Sequence, residues 1–159
     1  MTERRVRVAD YAVAKAGDTL VTIGLGSCVA IALYDPTARV GGLAHVLLPS
    51  EGLSRDSSNR AKFPTTAVPL LIEEMGRLGG RGPMRAKIVG GASMFGALIP
   101  AGTINMGERN VAASRSALAQ AGIPLAAADV GGDYGRSVFF HLDDGRLVVR
   151  SLKRGERVI

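Results

Sequence analysis

With 159 residues, 47% of them hydrophobic and 21% charged, the chain has the size and composition of one folded domain over 1–159, which argues against disorder except at the ends. A single cysteine excludes an internal disulfide. The lack of a secretory leader or of an apolar run long enough to cross a bilayer argues against export and membrane insertion and predicts a cytoplasmic protein. The net charge of +6 favours an acidic partner, yet zinc-finger spacing and a set of stacking aromatics are missing, so nucleic acid is not the predicted partner.

The first part of the chain predicts short strands. Charged and apolar residues alternate over 5–14, which is typical of a strand. Runs rich in β-forming residues predict three further strands, at 19–25, 28–34 and 42–49. The polar segment that follows is predicted to be a loop extending to residue 64.

The second part predicts two helices among further strands. A helix is expected over 65–80, with a threonine cap and a glycine stop, and a second over 107–122, with a proline just beyond its final glycine. Strands are expected at 86–95, 123–130, 135–142 and 146–152, the last two joined by an Asp-Gly turn. Together these elements predict a mixed α and β fold.

One predicted hairpin contains the only cysteine, Cys28, and one of the two histidines, His45. If its loop is Asp35–Ala38, then Tyr34 faces Arg39 and Cys28 faces His45, close enough for thiol and imidazole to interact. A slip of one residue would place them on opposite faces of the sheet. A histidine in reach lowers the pKa of a thiol and accepts its proton, which predicts a thiol hydrolase.

Residues near this pair could complete such a site. Thr22 lies on the incoming strand, six residues before Cys28, and is a candidate for orienting His45. Glycines in "GLGS" allow close approach of a substrate, and the backbone N–H groups of Gly26 and Ser27 are candidates for holding an oxyanion. The structural alternatives stay open, because a lone cysteine in an apolar run is most often a core residue and threonine is common in strands.

No metal or cofactor is predicted. One cysteine and two separated histidines, His45 and His141, do not form a recognisable zinc-binding set. The segments "GLGSC" and "VGGAS" resemble phosphate-binding loops, but they lack the Walker lysine and the Rossmann glycine spacing.

Six segments extend over nearly the whole chain: "GLGSCVAIALYD", "GGLAHVLLP", "TTAVPLLIEEM", "AKIVGGASMF", "MGERN" and "DVGGDYGRSVFFHLDDGRLVV". In these segments and their order the chain resembles the chemoreceptor glutamine deamidase family, CheD. The resemblance implies a Cys-His-Thr catalytic set, which falls here on Cys28, His45 and Thr22. It departs from the family at "KFPTTA", where an acidic residue is expected near Pro64 or Thr65.

The resemblance also implies a fold and an activity. The implied fold is α+β, a four-layer α/β/β/α sandwich with mixed β-sheets, similar to the catalytic domain of the cytotoxic necrotizing factors. The implied activity is deamidation of glutamines in chemoreceptor cytoplasmic domains, by a thiol mechanism that releases ammonia and tunes adaptation in chemotaxis.

Three alternatives remain at this stage. The resemblance implies that the chain binds a CheC-type phosphatase, so it could instead be a non-catalytic regulatory module. It could also be a cysteine amidohydrolase or transglutaminase that acts on a glutamine of some other protein. A nucleic-acid-binding module would show an affinity that falls steeply with salt and does not depend on Cys28.

Overall fold

The computed structural model of the chain describes residues 2–94 and 105–159, which contain ten β-strands and two α-helices. The strands are β1 (Thr2–Arg5), β2 (Tyr11–Lys15), β3 (Asp18–Leu25), β4 (Val29–Asp35), β5 (Val40–Val46), β6 (Arg85–Gly90), β7 (Leu125–Val130), β8 (Arg136–His141), β9 (Leu147–Ser151) and β10 (Gly155–Val158). The helices are α1 (Pro64–Arg77) and α2 (Met106–Gln120), and two short 3-10 helices lie at Glu51–Leu53 and Arg60–Lys62.

The strands form two mixed sheets of five strands each. Sheet A has the order β1-β3-β8-β9-β10, and sheet B has the order β2-β5-β4-β6-β7. The pairs β1–β3 and β6–β7 are parallel, and the other pairs are antiparallel. The expectation of an α+β fold with mixed sheets is therefore confirmed.

The described residues form three layers. One cluster of buried side chains fills the space between the two sheets. A second cluster lies between sheet B and both helices, which therefore cover the same face of that sheet. The order is α/β/β, and the second helical layer of the expected four-layer sandwich is not among the residues that the structure describes.

The central strand β4 shows why the sheets can approach each other closely. All seven of its residues are buried, as expected of a strand covered on both faces. Alternation along the strand directs Ala30 and Ala32 toward sheet A, and Val29, Ile31 and Leu33 toward the helices. Small side chains thus face the partner sheet, which lets polar groups of the two sheets come within hydrogen-bonding distance.

The β4–β5 hairpin differs from its predicted register by two residues. Ala30, not Cys28, lies opposite His45, and the loop is closed by the pair Asp35 and Val40. Because a shift by two preserves the face on which each side chain lies, Cys28 and His45 still face the same side of the sheet.

The hairpin loop explains the shift. The Asp35 carboxylate accepts hydrogen bonds from the backbone N–H groups of Thr37 and Ala38, each at 3.0 Å, and so forms a turn directly after the strand. Arg39 then adopts a φ of 56°, in the left-handed region. The loop is therefore 36–39, which has the predicted length but lies one residue further along the chain.

Other predictions failed locally. The single strand expected over 5–14 is two strands, β1 and β2, which belong to different sheets and are separated by a turn in which Ala9 has a φ of 60°. Strand β10 was not predicted. The N-cap of α1 is Phe63, without a capping side chain, and Pro64 occupies the first turn in place of the expected threonine cap. The end of the strand expected over 86–95 lies outside the described residues.

Candidate active site

A histidine of one sheet meets a threonine of the other at the centre of the molecule. His45 on β5 and Thr22 on β3 are both fully buried. The Nδ1 atom of His45 and the Oγ1 atom of Thr22 are 2.7 Å apart. The structure therefore brings together the histidine and the threonine that the sequence singled out.

The hydrogen bonds of Thr22 fix the tautomer of His45. The Thr22 hydroxyl has one hydrogen, which it donates to the backbone carbonyl of Val6 over 2.6 Å because that carbonyl can only accept. The hydroxyl must then accept from His45, so Nδ1 carries the proton. The other ring nitrogen, Nε2, is left with its lone pair free to take a proton.

Burial keeps both candidate catalytic groups neutral. It lowers the pKa of His45 to about 4, and it raises the pKa of the Cys28 thiol, an effect that the residue's own backbone N–H partly offsets. The expected lowering of the thiol pKa by His45 is therefore wrong, because desolvation acts here without a nearby charge to oppose it. At neutral pH the arrangement holds a thiol and an uncharged imidazole rather than an ion pair.

The loop that carries Cys28 is fixed by backbone hydrogen bonds. The N–H of Ala92 donates to the carbonyl of Gly26, and the N–H of Gly91 donates to the carbonyl of Cys28, each over 2.8 Å. Gly90 has a φ of +114° and lies so close that any Cβ there would collide with the Cys28 carbonyl. A glycine is therefore required directly behind the candidate nucleophile.

Gly26 and Ser27 lie in this loop, as expected. In the part of the chain that the structure describes, no atom accepts a hydrogen bond from the N–H of either residue. Such N–H groups are the type that stabilises an oxyanion, so their assignment as oxyanion donors stays a prediction.

Asn110 on α2 is a site residue to which the sequence analysis gave no role. It is fully buried, and its side-chain NH2 group donates to the carbonyls of Ser27 and Leu47 over 2.9 and 3.1 Å. Its only sequence signal is its position in "MGERN".

Among the described residues, two buried side-chain atoms have no hydrogen-bond partner, His45 Nε2 and Asn110 Oδ1. Unsatisfied groups of this kind often mark functional sites.

An open groove of about 830 Å³ is lined on β3 by Ile23 and Gly24, which follow Thr22 in the chain, and not by Thr22, His45 or Cys28. The register of β3 against β8 shifts between Thr22 and Leu25. Because Thr22 faces sheet B, alternation along β3 places Ile23 on the opposite face, where it is 46% exposed. Ile23, Met94 and Leu152 give the groove exposed apolar walls. A smaller depression shares Ile23 and is lined by residues 5–8.

Arg136 stabilises the loop that forms one wall of the groove. Its side chain is almost fully buried, pairs with Asp129 over 3.1 Å and donates to the carbonyl of Gly131 over 2.7 Å. Its guanidinium also stacks on Tyr134, 4.1 Å from the ring centre. These contacts agree with a structural role for this arginine.

The described residues contain neither a metal-binding cluster nor a membrane-spanning helix. Within residues 2–94 and 105–159, no three His, Cys, Asp or Glu side chains are grouped so that they could hold a metal ion. None of the helices in that same part of the chain is long and apolar enough to cross a membrane.

Comparison with known proteins gave consistent matches. Residues 47–151 match the family model described as CheD chemotactic sensory transduction. The probable chemoreceptor glutamine deamidase CheD of Caldanaerobacter subterraneus subsp. tengcongensis is 47% identical over 157 residues, which cover 98% of this chain and 96% of that protein. The protein of the same description from Moorella thermoacetica is 45% identical over 99% of this chain and 95% of its own. The probable chemoreceptor glutamine deamidase CheD 2 of Geobacter metallireducens is 49% identical over 94% and 93%.

Proposed function

Because this chain belongs to the CheD family, as its match to the family model and to near full-length relatives establishes, we propose that it deamidates glutamine side chains of chemoreceptors. The product is a glutamate on the receptor and free ammonia. The relatives carry this activity in their descriptions. The proposed substrate is the cytoplasmic part of a receptor, so the site of action is the cytoplasm.

The observation that carries the mechanism is the hydrogen-bonded chain from Val6 through Thr22 to His45. It supports a neutral histidine with its proton on Nδ1 and its lone pair on Nε2, on the face of sheet B where Cys28 also lies. We assign Cys28 as nucleophile, His45 as general base and Thr22 as the residue that orients His45.

In the first half of the proposed reaction, His45 Nε2 takes the thiol proton as the Cys28 sulfur attacks the carboxamide carbon of the glutamine. The oxygen of the tetrahedral intermediate becomes negative, and the N–H groups of Gly26 and Ser27 are the proposed donors to it. The carbon–nitrogen bond then breaks, and His45 returns the proton to the nitrogen, which leaves as ammonia. A thioester to Cys28 remains.

In the second half, water attacks the thioester carbon while His45 accepts one of its protons. The carbon–sulfur bond breaks, and the proton returns to the sulfur of Cys28. The overall balance is one water consumed, one ammonia released and one glutamate formed, with no cofactor and no metal required.

The surface around the groove suits an acidic helix. Arg5 and Arg7 line the smaller depression beside Ile23, and neither forms an ion pair with another described residue. The chain as a whole has a net charge of +6. A receptor helix that carries acidic side chains next to an apolar stripe would complement both the charge and the exposed Ile23 and Met94.

Binding to a CheC-type phosphatase is a second, regulatory role that family membership makes reasonable. It does not need the thiol, so loss of Cys28 separates the two roles. An enzyme without its nucleophile loses deamidation, whereas a binding module without it keeps its partner.

The proposal is tested by incubating the reduced protein with the purified cytoplasmic domain of a chemoreceptor from the same genome. Peptide mass spectrometry then maps glutamine-to-glutamate conversion. We expect the wild type to convert specific glutamines, and Cys28→Ala and Cys28→Ser to convert none.

The Cys28→Ser variant is the closer control, because it keeps the size of the side chain and replaces only the sulfur. Circular dichroism spectra and thermal melting establish that each variant is folded. Conversion by a variant at the wild-type rate would remove Cys28 from the mechanism, and no conversion by the folded, reduced wild type would contradict the proposed function.

A further inference from the structure

We propose that Asn110 is a positioning residue that holds the loop of the nucleophile against the strand of the base. The inference rests on the proposed function, in which Cys28 and His45 must act together. It adds a residue from α2 to a site otherwise built from the two sheets.

The geometry of Asn110 is that of a bridge. Its NH2 group donates one hydrogen bond to the carbonyl of Ser27, the residue before Cys28, and one to the carbonyl of Leu47, two residues after His45. Since both acceptors are carbonyl oxygens, only the NH2 end of the amide can face them, and the orientation of the side chain is fixed.

The bridge lies where the β4–β5 ladder ends. The last paired residues are Val29 and Val46, and the chain beyond β5 turns away, because the N–H of Leu47 donates to the carbonyl of Lys62. Cys28 is therefore the first residue outside this ladder: the Gly91 N–H holds its carbonyl on the β6 side, but no ladder hydrogen bond joins it to β5, the strand of His45. Asn110 joins the two diverging ends at that point.

The position of α2 makes this bridge possible. Gly107 approaches the 90–92 segment so closely that a Cβ there would lie 2.6 Å from the Gly91 carbonyl oxygen. That approach brings Asn110, one turn further along, into the buried space between Ser27 and Leu47. Its Oδ1 atom has no partner among the described residues, and burying an unpartnered acceptor destabilises a fold, so stability alone does not account for an amide here.

The experiment compares Asn110→Ala and Asn110→Leu with Ser114→Ala. Leucine fills the space of the amide without its donors. Ser114 is a matched control on the same helix: it is fully buried, and its hydroxyl donates to the backbone carbonyl of Asn110 over 2.7 Å, so Ser114→Ala removes a neighbouring buried hydrogen bond and leaves the Asn110 amide in place. The measurements are kcat and KM for deamidation, thermal melting, and the rate at which iodoacetamide alkylates Cys28 as a function of pH.

Loss of the bridge should lower kcat and raise the rate of Cys28 alkylation, both measured at temperatures where every variant is folded. The kcat of both Asn110 variants should fall about 10- to 100-fold with KM within about twofold, because misplacement of a reacting group costs rate rather than binding. Alkylation should become faster and its pH midpoint should fall, because a loosened loop exposes a thiol whose pKa burial had raised. Ser114→Ala should lower the melting temperature alone.

Several results would overturn the proposal: wild-type kcat and alkylation in the Asn110 variants, the same loss of kcat in Ser114→Ala, or a failure of both Asn110 variants to fold. The last result would mean that Asn110 acts on the whole fold. If the wild type does not deamidate, the proposed function fails, but the alkylation profiles still decide whether Asn110 positions Cys28.

Discussion

In the part of the chain that the structure describes, two threonines of β3 each contact a histidine, and only one of these two threonine–histidine pairs belongs to the candidate site. Thr22 contacts His45 across the two sheets at 2.7 Å. Thr19 contacts His141 on the neighbouring strand β8 at 3.1 Å. Both contacts join a threonine hydroxyl to the Nδ1 atom of a histidine, so the pair by itself does not define a catalytic group.

The two threonine–histidine pairs differ in their surroundings. Thr22 has the Val6 carbonyl as a second partner, which fixes the tautomer of His45, whereas among the described residues the Thr19 hydroxyl has a hydrogen-bond partner only in His141. His45 is fully buried and shares its face with Cys28, whereas His141 is half-buried near Asp143 and Asp144. A threonine–histidine pair becomes a candidate base through enclosure, a fixed tautomer and a candidate nucleophile on the same face of the sheet.

The largest difference in kcat is expected between the variants His45→Gln and His141→Gln. Glutamine is close to histidine in size but cannot accept a proton at neutral pH. We expect His45→Gln to lower kcat for deamidation by about 10³-fold or more, as loss of a general base does, and His141→Gln to leave it within about twofold. The measurement is steady-state release of ammonia from a receptor cytoplasmic domain.

The two variants control for each other, since each removes one of the two imidazoles. A large loss of kcat in His141→Gln would show that the half-buried pair also takes part. Near wild-type kcat in His45→Gln would remove the buried pair from the mechanism.

The next largest effect is expected in the free energy of unfolding at acid pH. His45 has a pKa lowered from 6.5 to about 4 by burial, so the unfolded chain binds its proton more readily than the folded chain does. The stability that this difference provides is complete above pH 6.5 and is lost as pH falls toward 4. It amounts to about 3 kcal/mol.

Urea unfolding followed by circular dichroism at several pH values measures this contribution. The wild type should lose about 3 kcal/mol more than His45→Gln between those two pH values. His141 also has a pKa lowered by burial, but water screens its half-exposed ring, so His141→Gln should keep most of the wild-type slope. Equal slopes for the wild type and His45→Gln would contradict the buried, neutral state of His45.

The substitution Thr22→Val should have an intermediate effect on kcat. Valine keeps the shape of threonine but removes the acceptor for the Nδ1 proton of His45 and the donor to Val6. We expect kcat to fall about 10- to 100-fold, by analogy with the loss found when the partner that orients a metal-binding histidine is removed. Thr22→Ser, which keeps the hydroxyl, should restore most of the rate.

The imidazole tautomer supplies a second readout for Thr22. Nitrogen NMR of the labelled ring should show the proton on Nδ1 in the wild type and in Thr22→Ser, and a mixture in Thr22→Val. An unchanged tautomer together with a large loss of rate would mean that Thr22 acts in some other way.

The sequence indicated the candidate site residues better than the groups that hold those residues in place. Alternation along β4 and β5 correctly placed Cys28 and His45 on one face, although the turn formed by Asp35 shifted the register by two residues. The direction of the thiol pKa shift was wrong, because the depth of burial depends on the packing of sheet A against sheet B and not on the hairpin alone.

The groups that hold the candidate site residues in place leave no recognisable pattern in the sequence. The Val6 carbonyl belongs to the backbone, which has the same chemistry at every position, and it reaches Thr22 from a segment predicted as part of one continuous strand. Asn110 lies more than sixty residues beyond the strands that it joins. Contacts of this kind depend on the order of strands in the sheets, which local periodicity does not specify.

The smallest effect is expected for Thr19→Val. The Thr19 hydroxyl makes one contact, to a histidine that water can reach, and valine suits a strand at least as well as threonine does. We expect the free energy of unfolding to change by about 0.5 kcal/mol or less and kcat to stay at the wild-type value, in the same assays that show a large loss for Thr22→Val. Because the two substitutions are chemically identical and lie three residues apart on β3, a difference between them measures only their surroundings. A tenfold loss of kcat in Thr19→Val would mean that the whole strand, and not the enclosed pair at Thr22, determines the rate.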